Sequence, residues 1–444
     1  MLKKISKVLL LCALVLVTGC TKKEPVIELT DENIKAISVE VADAFVNSEF
    51  KNIPQYLSKE AKEEITLQNL TQSWNKVTEN LGSYQTMKID VHRLADRDLG
   101  YVYMTFKSGT VKLSLSFNQE MKIKGMYLNY PSKIVEAVNT DEYTEQNVLV
   151  GVDEMINGIL TLPVGVDNPP VAILVQGSGV SNLNEEAYAM KPFEDIAHGL
   201  AKEGIATIRY DKRYYGYPEW DGIREVSLNW EYLYDFSSVI HQLEDMPVNH
   251  NQIYVIGHSQ GGMLAPRLAY DHPEVKGIIS LAGTPRGLEE VMKDQQYNAV
   301  VAQGSNEQMV QGVVDLADKV IAEIQSLTKE TATDKVVNSY PLSYWYELNQ
   351  SRPYIFMNEL KCDVLILQGE SDFQVFYDKD YQEWMKLTSG MDNVQMKSYP
   401  GLSHFFTPAI NNTVEDYKTP ANVDEKVIQD MASWILNRKV EKGK

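Results

Sequence analysis

Five near-continuous apolar segments, VAILV, IATIRY, QIYVI, VKGIISL and CDVLILQ, occur between residues 171 and 369, and amphipathic stretches separate them. A strand whose side chains are apolar on both faces has to be covered on both, so this alternation predicts a mostly parallel sheet between two layers of helices. The spacers read as helices. PFEDIAHGLAKEG turns Phe193, Ile196, Ala197 and Leu200 to one side, with Gly204 closing it. WEYLYDFSSVIHQLEDM, the stretch after Ser259 and the stretch near Val423 to Asn437 read as further helices. Upstream, NVLVGVDEMINGILTLP reads as a hairpin turning at Asn157-Gly158, and VQMKSYPG supplies a late strand. A helical insertion is expected at residues 286–348, interrupting the α/β alternation.

The amino-terminal third follows a different rule. Ile34, Ile37, Val41, Ala44 and Phe45 recur at helical spacing after a Thr30/Asp31 cap, and Leu67, Leu70, Trp74 and Val77 do so before Gly82. Period two then takes over in TMKIDVHRL, GYVYMTFKSG, VKLSLSFNQ and MKIKGMYLNY, which predicts four antiparallel strands. Residues 31–130 are therefore expected to form a small α+β domain, and this pattern resembles a domain of unknown function with a cystatin-like or nuclear-transport-factor-like cone fold. Residues 131–146 read as a polar linker and 147–440 as the α/β domain.

The first twenty residues, MLKKISKVLLLCALVLVTGC, carry three lysines and then about ten apolar residues, too few to span a bilayer. Val17-Thr18-Gly19-Cys20 resembles the bacterial lipobox. That resemblance implies a signal peptide at 1–19, a lipid-modified Cys20 as first mature residue, a tether at 20–30, and a membrane-anchored protein of a bacterial envelope. Only Cys362 would then keep a free thiol, so no intramolecular disulfide framework is expected. No cysteine/histidine cluster has metal spacing, and none is expected to bind metal. The formal charge of −19 argues against nucleic acid, which needs a basic stripe.

The segment GHSQGG, residues 257–262, directly follows the apolar run QIYVI. Its G-x-S-x-G spacing suits a tight strand-to-helix turn presenting Ser259, where side chains at positions 257 and 261 would collide. A serine hydroxyl needs a base. Of seven histidines, His404, in YPGLSHFF, is the one that follows position 272, in a loop after the last predicted strand. His258 adjoins the serine but reads as lying on the wrong side of the turn, and is set aside. The base needs a carboxylate to hold its tautomer. Asp372 lies just past the end of CDVLILQ, where such sheets build their sites, with Glu370 as its rival. Pro266 is expected to remove the hydrogen bond to the Gly262 carbonyl in the helix after Ser259.

The order serine, acid, histidine, together with VQGSG, KPFEDIAHGLAKEGIATIRYDKR, GHSQGG, LQGESDFQV and GLSH, resembles the α/β-hydrolase superfamily over residues 147–440, and in particular bacterial esterases with a small cone domain in front. The resemblance implies a serine hydrolase of carboxylic esters working through an acyl-enzyme, with no cofactor and a small-molecule acyl ester as substrate. A peptidase, thioesterase or acyltransferase on the same residues is the alternative, and a non-catalytic ligand-binding lipoprotein is a further one. The oxyanion would be held by the backbone N–H groups of Gln260 and Ser178; Gln176 stands where relatives often have histidine. Asp211 and Arg213 of RYDKR are expected to brace a loop, and Tyr344, Trp345 and Tyr346 are candidates for lining a substrate pocket. Sequence leaves the oligomeric state open.

Overall fold

The computed structural model describes residues 28–79, 81–93, 98–107, 109–128, 132–133, 137–151, 156–216 and 226–437. The expected signal peptide, Cys20 and most of the tether lie outside the described residues. The chain divides into a smaller unit, chiefly residues up to 128, and a larger one from Asn129 onward.

In the smaller unit the helix Asp31–Val46 begins at Thr30 as expected and Leu67–Thr78 begins at Thr66, and the two hydroxyls accept from Asn33 N and Asn69 N. Strands Tyr84–Arg93, Asp98–Phe106, Gly109–Phe117 and Ile123–Leu128 follow in a simple antiparallel order. Ile34, Val41, Phe45 and Trp74 of the helices share one core with Val102, Met104, Leu113 and Leu115 of the sheet. A short helix, Lys59–Glu64, escapes periodicity because Ala61 is its one buried side chain.

The larger unit is an eight-stranded sheet: β1 Tyr143–Val150, β2 Ile156–Pro163, β3 Val171–Val175, β4 Ala206–Tyr210, β5 Ile253–His258, β6 Val275–Leu281, β7 Asp363–Gly369 and β8 Val394–Tyr399. Their order across the sheet is β8-β7-β6-β5-β3-β4-β2-β1. β2 runs antiparallel to both β1 and β4, and every other pairing is parallel. The alternation within each strand shows why the apolar runs are continuous. In β3, Val171, Ile173 and Val175 join one core while Ala172 and Leu174 join the other. Val364 and Ile366 of β7 divide from Leu365 and Leu367 in the same way. Helices α1 Pro192–Lys202 and α7 Glu425–Ile435 cover one face; α2 Tyr234–Gln242 and α3 Gln260–Asp271 cover the other.

Two expectations fail in the first hairpin. Asn157-Gly158 is not its turn but lies inside β2, paired with Leu149 and Val148. Glycine fits closely there: a Cβ would meet the Arg209 carbonyl and a Val148 methyl at 3.1 Å each. The strand β1 starts at Tyr143, inside the stretch read as a linker up to residue 146. Its polar composition misled because Glu145 is buried as an ion, 2.9 Å from the guanidinium of Arg209.

Between β6 and β7 lie α4 Leu288–Ala302, α5 Glu307–Gln325 and α6 Leu342–Asn349. This insertion also holds a two-residue hairpin, Val336–Val337 with Tyr340–Pro341, whose turn residues Asn338 and Ser339 have φ of 49° and 74°. Ile324, Tyr344, Trp345 and Leu348 carry this insertion into the main core.

Candidate active site

Ser259 stands between β5 and α3 with φ 53° and ψ −116°, a region that non-glycine residues avoid. Its neighbours explain how the turn is tolerated. A Cβ on Gly257 would lie 2.2 Å from the Gly261 carbonyl, and one on Gly261 would lie 2.2 Å from the Val175 carbonyl. Ser259 N–H donates to the Leu281 carbonyl at 2.8 Å, tying the turn to β6. Gln260 is the first residue of α3, so its N–H has no partner within the helix, and the helix N-terminus favours negative charge in front of it. Pro266 sits inside α3 as expected, and the carbonyl of Gly262 accepts instead from Ser280 Oγ at 3.1 Å.

His404 and Asp372 come from the loops after β8 and β7. His404 Nδ1 lies 2.7 Å from Asp372 Oδ2, and both side chains are buried. That pairing assigns the Nδ1 proton to the carboxylate and leaves Nε2 as the basic nitrogen. Asp372 is itself held: Oδ1 accepts from Gln374 N at 2.7 Å and Val375 N at 2.9 Å, and Oδ2 accepts from Gln368 Nε2 at 3.0 Å. Glu370, the sequence rival, is committed elsewhere, accepting from Ser398 Oγ at 2.7 Å.

The loop Gly177-Ser178-Gly179 follows β3 and meets the serine closely. A Cβ on Gly177 would lie 3.0 Å from Ser259 Cβ and 3.5 Å from its Oγ. Gly177 N–H donates to Glu185 Oε1 at 2.6 Å. The loop's anchor in place of a histidine is Gln176, whose Nε2 donates to the Tyr210 carbonyl.

His258, set aside as a base, has both ring nitrogens engaged with groups other than Ser259. Its ring is buried 4.5 Å from that of His404, with Nδ1 2.9 Å from Glu185 Oε1 and Nε2 3.0 Å from the His404 carbonyl. Glu185 carries no motif, and its contact with His258 spans 73 residues. Asp211 and Arg213 brace loops, as expected. Asp211 accepts from Leu183 N at 2.8 Å and Asn157 Nδ2 at 3.2 Å, and Arg213 pairs with Asp235.

The three aromatic pocket candidates separate. Tyr344 and Trp345 are fully buried in the core, with Tyr344 OH donating to Glu231 and the Trp345 indole donating to the Val337 carbonyl at 2.8 Å. Tyr346 alone is partly exposed. The pocket-lining expectation is thus corrected for Tyr344 and Trp345: their polar groups are spent on the fold, because the insertion is stitched to the core through them. Among the described residues no group of three or more His, Cys, Asp or Glu side chains could hold a metal ion.

A sheet wound in this order, with a strained serine turn at the carboxyl end of its central strand β5, belongs to the α/β-hydrolase superfamily, and the chain is a serine esterase of that superfamily. Residues 187–407 match a family described as serine aminopeptidase, S33, and residues 38–126 match a protein family of unknown function, DUF3887. Esterase EstD of Thermotoga maritima is 26% identical over 394 residues, which span 87% of this chain and 92% of that one. Hydrolase ffsE of Aspergillus flavipes is 28% identical over 116 residues, 25% of each chain. Among solved structures, Est1E from Butyrivibrio proteoclasticus covers 66% of this chain and 99% of its own at 17% identity, with a TM-score of 0.43.

Proposed function

We propose that the chain hydrolyses carboxylic esters through an acyl-enzyme on Ser259. His404 Nε2 takes the Ser259 hydroxyl proton as Oγ attacks the acyl carbonyl carbon. Asp372 holds the His404 tautomer and stabilises the imidazolium. The N–H groups of Gln260 and Ser178 receive the carbonyl oxygen as it becomes an oxyanion. Collapse breaks the bond to the alcohol, which leaves with the proton from His404. Water then attacks the acyl group by the same steps in reverse and regenerates Ser259.

The observation that carries this reading is the 2.7 Å contact of His404 Nδ1 with Asp372, in the loops beside a serine held at φ 53°. The engagement of the Gly177 amide by Glu185 favours Ser178 as the second donor. Ser259→Ala should abolish hydrolysis of p-nitrophenyl acetate, and a fluorophosphonate probe should label Ser259. Turnover that survives the substitution would sink the mechanism. The family description as a serine aminopeptidase favours a second reading, amide hydrolysis on the same residues. A panel of esters, thioesters and aminoacyl amides distinguishes the two by their kcat/KM values.

We also propose that Cys20 is lipid-modified after removal of residues 1–19. Cys20→Ser should release the protein from the membrane fraction and abolish incorporation of labelled palmitate.

A further inference from the structure

Beneath the candidate oxyanion site lies a buried polar chain that the reaction as described does not use. Lys212 is buried between the flanking Asp211 and Arg213 of RYDKR, yet its ammonium points at the site loop rather than at either neighbour's partners. Its Nζ donates to the Gly177 carbonyl at 2.7 Å, to Tyr232 OH at 2.8 Å and to Glu231 Oε1. Tyr232 OH in turn donates to the same Gly177 carbonyl at 2.6 Å. All three ammonium donors and both lone pairs of that carbonyl are therefore occupied. On the far side, Glu231 Oε2 accepts from Tyr344 OH at 2.6 Å, and Tyr344 accepts from Gln260 Nε2 at 2.7 Å. Donor and acceptor directions are consistent along the whole path from Gln260 to Gly177.

The ends of this chain are significant. The Gly177 carbonyl belongs to the peptide whose N–H is that of Ser178. No described peptide bond is cis, so that N–H points away from the carbonyl. Pulling the Gly177 oxygen down into the network directs the Ser178 N–H up and out of it. A cation on the carbonyl also polarises the amide and strengthens the hydrogen bond it can donate. The other end holds the side chain of Gln260, the residue that offers the second N–H.

We propose that Lys212, Tyr232, Glu231 and Tyr344 are positioning residues that set the orientation and spacing of the Ser178 and Gln260 amides for the developing oxyanion. This rests on the reading of Ser259 as nucleophile. A buried lysine–glutamate pair is a poor source of stability, because desolvation offsets the attraction. Placing one under the peptide that must not move is consistent with a gain in geometry instead. Burial drives the Lys212 ammonium below its ordinary range, and the charge of Glu231 acts against that fall.

The test uses the full chain with Tyr232→Phe, Tyr344→Phe and the paired change Lys212→Met with Glu231→Gln, which removes both charges together. Each is measured for kcat and KM on p-nitrophenyl acetate and for the affinity of a trifluoromethyl ketone, which adds to Ser259 and carries an oxyanion. We expect kcat/KM and ketone affinity to fall together, by about 10- to 100-fold in the paired variant, with KM changing less than about twofold. The tyrosine variants each remove one hydroxyl, so they keep the test valid if the paired variant does not fold. A lower melting temperature with unchanged kcat/KM and ketone affinity overturns the proposal, as does a change confined to KM. Failure of the unsubstituted protein to bind the ketone refutes the nucleophile assignment itself, and so is distinguishable from a loss confined to the variants.

Discussion

The imidazole of His258 bridges the carboxylate of Glu185 and the backbone carbonyl of His404, at 2.9 Å and 3.0 Å. Both partners are acceptors, so the arrangement favours the doubly protonated ring. Glu185, at φ 51°, also accepts the Gly177 N–H. The His258–Glu185 pair thus ties together the serine turn, the Gly177 loop and the His404 loop.

This pair predicts a pH dependence. Burial works against the charged ring, but Glu185 outweighs it and raises the His258 pKa above 6.5. A native-state pKa above the unfolded one gives stability that is complete below about pH 6.5 and lost as pH rises through the native value. Melting temperatures should therefore decline from about pH 6.5 upward, and His258→Gln should flatten that limb. An unchanged slope in the variant would refute the assignment.

Asp372→Asn should lower kcat by on the order of 10³- to 10⁴-fold, since the amide cannot hold the His404 tautomer or its charge. Glu370→Gln should stay within about threefold of the parent, because its carboxylate faces Ser398. Steady-state kinetics on both variants checks the choice between the two acids.

Glu145 holds the acid limb of stability. Burial alone would raise its pKa, but the hydrogen bond from His198 and the charge of Arg209 bring it down to about 2. Its contribution is present above about pH 4.5 and lost as pH falls through 2. Glu145→Gln should cost about 3 kcal/mol at neutral pH by leaving Arg209 buried and uncompensated. Denaturant titrations between pH 7 and 3 should show a shallower acid decline in the variant.

Ser280→Ala should cost about 1–3 kcal/mol, because the Gly262 carbonyl then has no donor in place of the one Pro266 lacks. In a Pro266→Ala background the helix supplies that donor, and the cost should shrink. A double-mutant cycle in urea measures the difference; strict additivity would show that Ser280 acts some other way.

The parallel sheet was legible in VAILV and its counterparts because a strand buried on both faces must be apolar throughout, whatever its neighbours. The serine turn was equally legible, since sterics leave glycine alone at 257 and 261. Asp372 was readable as a position at a strand end, though only its contact with His404 separates it from Glu370. The register of the first hairpin was not readable. Asn157-Gly158 looks like a turn until the Arg209 backbone is seen against it.

What sequence determined by itself was local: strand and helix periodicity, the serine turn, and the chain order of serine, acid and histidine. The tertiary structure decided which polar groups share a buried environment. Glu185 reaches His258 across 73 residues, and Lys212 reaches Gly177 across 35. Charges such as these are tolerated inside only where distant partners satisfy them, and no local pattern encodes a partner that folding alone brings within 3 Å.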